Sequence, residues 1–389
     1  MVIRERQSML PSDLRVSNSL KIIAALRGAN GMSHSDVARK LGLSVPAVHR
    51  LMSELVAAGL VNEDGPASES AAIGRPAAIY RFHEDAGFLA GVDIGNGTTR
   101  IILTELNFVE RASLSFRTSD LGAKLPSVLS EAILRMQDQQ GAGDVPLVGV
   151  GIGVSASVDP GTGELHGLPV LQQYEGLRLS HELEDVLGCP VAVQQDDHYS
   201  ALAESSELGS YPGASSLLVL EIGYGIGVGM CLNGQPLPGF HGRFGRIAGW
   251  PPSVANDYLP GGTLGEVLTT PGLVQQYRNR EGHFPIHDGL GLVEVARGGE
   301  PEAVSVLDWA AQEIVQTIQR LSLLCDPEVV VLGGGLSQAY EVFSATLEEQ
   351  LPEILVVPSL LKDRAVVMGA VLEASSFVDA WLRSGLLRT

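Results

Sequence analysis

Gly91-Val92-Asp93-Ile94-Gly95-Asn96-Gly97-Thr98 runs on into the apolar stretch Ile101–Leu103, an order that predicts strand, tight glycine turn, strand. The pattern returns twice. Leu217–Glu221 leads into Ile222-Gly223-Tyr224-Gly225-Ile226-Gly227-Val228-Gly229, and Val329–Leu332 leads into Gly333-Gly334-Gly335 and then a helix. Glycine in such turns lets backbone N–H groups face a phosphate with no Cβ in the way. Asp93, closing its strand, has the chemistry to hold Mg²⁺ through water. A single loop of this kind is more often an ordinary turn than a nucleotide site. Three in the order hairpin, hairpin, strand–glycine–helix, spread over about 240 residues, are a much narrower signature.

The chain around these loops has 389 residues, more than one usual domain. With 45% hydrophobic and 18% charged residues it is neither disordered nor fibrous. No uninterrupted apolar stretch approaches the roughly 18 residues that span a bilayer. The first twenty residues carry Arg4, Glu5, Arg6, Asp13 and Arg15, so no export signal and no membrane partner are expected. Cys189, Cys231 and Cys325 lie far apart, which excludes a disulfide framework and a cysteine-rich zinc site and fits a reducing cytoplasm.

Net charge divides unevenly. Residues 1–82 hold ten Lys/Arg against seven Asp/Glu, a balance of +3, whereas the remainder carries −22 of the total of −19. Only the N-terminal part can lie on a polyphosphate without broad repulsion, so contact with double-stranded DNA belongs there. Ser17 and Asn18 are candidate caps for a first helix with Leu20, Ile23 and Leu26 inward, ended by Gly28 and Gly31. A second helix begins near Ser33 or Ser35, carries Val37, Ala38 and Leu41, and stops at Gly42. Ser44 caps a third, with Pro46 tolerated in its first turn and Val48, Leu51 and Leu55 inward. That spacing is a helix-turn-helix. The third helix then presents Ala47, His49, Arg50 and Ser53 to a major groove. Strands around Leu60–Glu63 and Ala78–Phe82 flank a loop whose Gly74-Arg75-Pro76 suits a narrow minor groove. The competing reading is a three-helix protein-interaction module with solvated arginines.

The whole pattern resembles the ROK family (repressors, open reading frames and sugar kinases). Further matches are Gly149–Val154, Val158-Asp159-Pro160 with Gly163, Asp326-Pro327-Glu328 before Val329–Gly335, Met368-Gly369-Ala370, and the run from Gly74-Arg75-Pro76 through Asp85-Ala86-Gly87 to Gly91–Gly95. The resemblance implies an α/β body with an actin-like ATPase (ribonuclease H-like) two-lobe fold, preceded by an α+β winged helix. The expected boundaries are a DNA-binding domain at 1–84, a first lobe at 88–194 and a second at 195–370, with a C-terminal helix at about 371–389 returning to the first lobe.

By the same resemblance, Ala201-Leu202-Ala203-Glu204 places the sugar kinases' general base at Asp196, with Gln195 and Val170 in place of two sugar-binding asparagines. Arg243-Phe244-Gly245-Arg246 stands where the family has Glu-x-Gly-His, and Leu259–Leu268 replaces its cysteine-rich zinc segment. Leu268 takes the place of a sugar-binding glutamate. The phosphate loops at Asp93, Gly95, Gly223, Gly225, Gly227, Gly333, Gly334 and Gly335 are degenerate, Tyr224 standing at a threonine position. No catalysis, zinc, ATP or magnesium is therefore expected, and Asp196 is a vestigial base.

Relative to the family pattern, Arg243, Arg246 and Leu268 move the pocket toward positive charge. One reading is an anionic effector, a sugar phosphate or sugar acid, on Gln195, Asp196, Arg243 and Arg246. The other is that the arginines pair with Asp196 or Asp197, or face solvent. The resemblance as a whole implies a cytoplasmic, nucleoid-associated repressor of carbohydrate genes, acting as a homodimer or homotetramer. The alternatives are a sugar kinase with an appended DNA reader and an effector-independent scaffold.

Overall fold

The computed structural model describes residues 11–27, 29, 31–64, 78–141 and 145–388. Helix α1 (Pro11–Arg27) starts six residues before the expected cap, so Ser17 and Asn18 lie inside it. Its early turns pay their way through tertiary contact: Val16 is buried in one apolar cluster with Leu382 and Leu386, at the far end of the chain. Gly28 lies outside the described residues. Helix α2 (His34–Leu41) is closed at its start by a reciprocal Ser33–Asp36 capping box and at its end by Gly42 at φ 65°. Ser44 caps α3 (Val45–Ala57), which buries Val48, Leu51, Met52 and Leu55. Strands β1 (Val61–Asp64) and β2 (Ile79–Phe82) pair antiparallel, and Met32 bridges Tyr80 on the other side. The wing tip, with Gly74-Arg75-Pro76, lies outside the described residues.

The body repeats one plan twice. In the first sheet β3 (Phe88–Ile94), β4 (Thr98–Glu105) and β5 (Glu110–Arg117) form an antiparallel meander. Strands β6 (Leu147–Val154) and β9 (Val191–Gln195) then extend it in parallel from β3. A short hairpin, β7 (Ser157–Val158) with β8 (Leu165–His166), follows β6. Helices α4 (Leu125–Gln139) and α5 (Leu179–Leu187) cover one face through Leu125, Leu129, Ile133, Leu179 and Leu183.

In the second sheet β10 (Ser216–Ile222) and β11 (Ile226–Leu232) make the hairpin, with β12 (Gln235–Pro236) outside it. Strands β13 (Val329–Gly333) and β14 (Val356–Pro358) run parallel on the other side. Helices α7 (Leu264–Val267), α8 (Thr270–Asn279), α9 (Gly289–Arg297), α10 (Pro301–Cys325) and α11 (Tyr340–Gln350) bury the largest apolar cluster against it. Two hairpin-plus-parallel sheets joined through buried helices are the two lobes of an actin-like ATPase fold.

Those joining helices are α6 (Asp196–Glu204) and α12 (Ala365–Ser375). They approach so closely that a Cβ on Gly369 would lie 1.9 Å from the Tyr199 carbonyl oxygen, and α12 lies equally close to β6, where a Cβ on Gly151 would lie 2.0 Å from the Ala370 carbonyl oxygen. Val367 and Val371 of α12 pack with Leu89, Ile102 and Val148 on the second face of the first sheet. The expected 370/371 boundary therefore falls inside α12, which belongs with the first sheet from Ala365 onward. The single terminal helix expected is two, because the chain breaks at Ser376-Phe377 before α13 (Val378–Arg388), which lies on α1. Lys362–Leu386 has the length and mean hydropathy (1.5) of a membrane span, but half of that window is buried in this packing.

Candidate nucleic-acid interface and ligand cleft

On α3 the Ser44 hydroxyl accepts the Ala47 N–H, so Ser44 and Ala47 define the start of the reading helix. His49, Arg50 and Ser53 are exposed on the face opposite Val48 and Leu51. Among the described residues the ion-pair partner of Arg50 is Glu54, at 4.0 Å one turn on, and Ser53 bonds the His49 carbonyl at 3.0 Å. An aromatic stack was not anticipated from sequence. His34 packs between His49 (4.9 Å between centroids) and Tyr80 (4.4 Å), joining α2, α3 and β2. Burial, followed by the neighbouring His49, holds the His34 imidazole below its ordinary range. Arg75, on the wing, lies outside the described residues.

Between the lobes lies a cleft of about 690 Å³. The three glycine loops, far apart in sequence, meet in its wall together with Asp93, Gln195, Asp196, Asp197 and Glu221. Asp196 opens α6 at the end of β9. Ser155 donates to one of its oxygens and the Asp197 N–H to the other, at 3.0 Å. Gln195 donates to Asp197 at 2.9 Å, which leaves its own side-chain oxygen buried without a partner. Burial lifts Asp196 to about 6 against those hydrogen bonds, Glu221 to about 7 and Asp93 to about 8, the charge of Asp196 adding to the last. Asp197 is raised well above the usual range by burial and then by Asp196 and Glu221.

The expected pair of anion-binding arginines does not form. Arg246 lines the cleft, but its guanidinium is spent on Ser157 Oγ (2.9 Å) and the carbonyls of His166 and Gly167. Arg243 is exposed and lies outside the cleft wall. Neither makes an ion pair with Asp196 or Asp197 among the described residues. Carboxylates outnumber cations in the lining, with Asp93, Asp196, Asp197, Glu221, Asp288 and Asp363 against Arg100, Arg246 and Lys362. The substitutions relative to the family pattern thus do not leave the lining with an excess of cationic side chains over carboxyl groups.

The glycine loops do not fit a magnesium–nucleotide. A Cβ on Gly227 would lie 2.0 Å from Asp197 Oδ2, and one on Gly333 2.5 Å from Glu221 Oε1, so carboxyl groups lie against the strand ends beside both turns. Arg100 holds Asp93, and the exposed Tyr224 ring approaches Gly97. Gly95 and Gly97 give their carbonyls to Thr118. Zinc does not fit either: Leu264, Val267 and Leu268 are fully buried in the second lobe's core. Leu268 consequently cannot touch a ligand, and Val170 is exposed outside the lining.

Other histidines fall into place. His198 is fully buried, bonded to the Phe244 carbonyl, and desolvation lowers it to about 4. His283, Glu300 and Glu302 bring ligand atoms within 4.8 Å of one another. Glu300, however, is already committed to the N–H groups of Ala303 and His283 and to Tyr277 as the cap of α10.

The ROK family profile matches residues 89–376, and an IclR-type helix-turn-helix domain matches residues 16–65. The chain belongs to the ROK family. It is 22% identical over 386 residues to a xylose repressor of Caldicellulosiruptor bescii, covering 92% of this chain and 95% of that one. A glucokinase of Halalkalibacterium halodurans is 25% identical over 272 residues, 64% of this chain and 80% of the enzyme. The crystal structure of a ROK family transcriptional regulator, a homolog of the E. coli MLC protein, superposes with a TM-score of 0.75 at 21% identity, covering 97% of this ROK chain and all of the other. The family thus holds both repressors and sugar kinases, and this member carries the DNA-reading module.

Proposed function

We propose that this ROK protein is a transcription regulator that reads duplex operator DNA with α3 and responds to a carbohydrate held between its lobes. The observation that carries the reading is the capped, well-packed α3, which leaves His49, Arg50 and Ser53 exposed on one face. The xylose repressor matched over nearly its full length supports repression of carbohydrate genes. Two readers on a palindrome would need a fixed spacing of roughly 34 Å, so a homodimer whose lobes rotate on ligand binding loses simultaneous contact.

Gln195 Oε1 offers an open acceptor beside the Asp196 and Asp197 carboxyls and the Ser155 hydroxyl, and Arg246 is already engaged. This set suits the hydroxyl groups of a neutral sugar rather than the sugar phosphate or sugar acid anticipated from sequence. The test is a gel shift on the protein's own promoter with a panel of pentoses and hexoses, each with its acid and phosphate. Release by a neutral sugar supports the reading; release by the charged forms alone rejects this effector class. Absence of promoter binding rejects the regulator. Asp196 remains on the cleft wall, so a coupled ATP-consumption assay belongs beside the gel shift. Turnover lost in Asp196→Asn would make the protein a kinase.

A further inference from the structure

The register of the first hairpin sets Asp93 on β3 directly opposite Arg100 on β4. Asp93 is 6% exposed, and Arg100 Nη1 lies 3.5 Å from its Oδ2. The other terminal nitrogen, Nη2, donates to Asp363 Oδ2 at 2.8 Å. Asp363 stands in the turn that leads into α12, and all three side chains line the cleft. The guanidinium therefore bridges two carboxyl groups from separate elements, which is the task a divalent cation performs between acidic ligands. A second positive ion at Asp93 would meet Arg100 at close range. The tips of the two hairpins also approach each other, Tyr224 ring carbons lying 3.8 Å from the Cβ position of Gly97 and Asn96 Nδ2 lying 3.2 Å from that of Gly225.

We infer that Arg100 is the resident cation of this cleft, occupying the position at Asp93 that a magnesium–nucleotide would require and fastening the first hairpin to the start of α12 through Asp363. The cleft accordingly binds its ligand without metal or nucleotide, and its occupancy is independent of ATP. The permanent cation belongs to the chain itself. It cannot be chelated or diluted away, and it holds β4 to α12 in the absence of any ligand.

The experiment is titration of the full-length protein with Mn²⁺, followed by EPR, together with the anisotropy of a fluorescent ATP analogue in the presence of Mn²⁺. The wild type is expected to show no Asp93-dependent Mn²⁺ site and no saturable rise in anisotropy. Arg100→Ala should gain one bound Mn²⁺, lost again in Arg100→Ala/Asp93→Asn, whereas Arg100→Lys should stay metal-free. If Arg100→Ala does not fold by circular dichroism, Arg100→Gln, uncharged but polar, gives the same readout. A wild-type Mn²⁺ site abolished by Asp93→Asn overturns the inference, as does a folded, uncharged variant at Arg100 that gains none. Neither readout involves operator DNA or sugar, so failure here is distinct from failure of the regulator assignment.

Discussion

Arg15 in the first helix donates to the backbone carbonyl of Leu386 in the last, at 2.8 Å across 371 positions of sequence. The same arginine reaches Glu54 on α3 at 3.3 Å. Around this bond Val16, Ile22, Val378, Leu382 and Leu386 share one apolar cluster with Leu89 and Ile102 of the first sheet. Arg27 adds a bond to the Leu106 carbonyl at 3.1 Å. The DNA reader is thus packed onto the first lobe over a continuous core rather than tethered by a linker alone.

Removing part of that core should loosen the reader. Leu382→Ala deletes a side chain only 1% exposed, a change that typically costs about 2–4 kcal/mol. Chemical denaturation should show that loss. Operator affinity should fall as well, although Leu382 belongs to α13 and not to the exposed face of α3.

Arg50 is free for DNA, with one 4.0 Å neighbour to give up. Arg50→Ala should weaken operator binding by about 1–3 kcal/mol if the guanidinium reads a base edge, and reduce the salt slope by about one if it holds a phosphate. A gel shift repeated at several salt concentrations separates the two outcomes. Unchanged affinity at every salt concentration would remove Arg50 from the interface.

The cleft carboxylates give stability a pH dependence of definite sign. Glu221, at about 7, and Asp93, at about 8, keep protons in the native state that the unfolded chain releases near pH 4. Their contribution is full below that value and is lost as pH rises through 7 and 8. His198, lowered to about 4, acts in the opposite direction, but only below about pH 6.5. Melting temperature should therefore fall from about pH 4.5 to 8, the Glu221 share being lost mostly below pH 7 and the Asp93 share carrying the fall beyond it. Glu221→Gln, uncharged throughout, should flatten that fall, the full Glu221 contribution being roughly 3 kcal/mol.

Gly369→Ala tests the contact at the centre of the body. The added methyl would lie 1.9 Å from the Tyr199 carbonyl oxygen, and backbone cannot rotate aside as a side chain can. Overpacking of this kind costs about 1–3 kcal/mol or more. A melting curve should show it, and the equivalent change at Gly385, which meets no atom within 4 Å, should not.

The features legible in the sequence were those with local causes. Ser33, Gly42 and Ser44 mark helix ends through short-range hydrogen bonds and a left-handed turn, and the glycine hairpins announce themselves by spacing. What eluded the sequence depends on distant partners. The early start of α1 is supported by α13, and the break at Ser376-Phe377 separates two helices with different docking surfaces. The direction of Arg243 and the engagement of Arg246 with carbonyls are matters of side-chain placement that composition does not encode. The pairing of Asp93 with Arg100 was implicit in the hairpin register, seven positions apart, but only a known turn length makes them neighbours.

Leu264, Val267 and Leu268 close the second lobe with hydrocarbon in the segment for which the family resemblance implied thiolates and zinc. Packing of this kind offers nothing there for EDTA to strip or peroxide to oxidise, so this corner of the lobe should keep its stability in the presence of either.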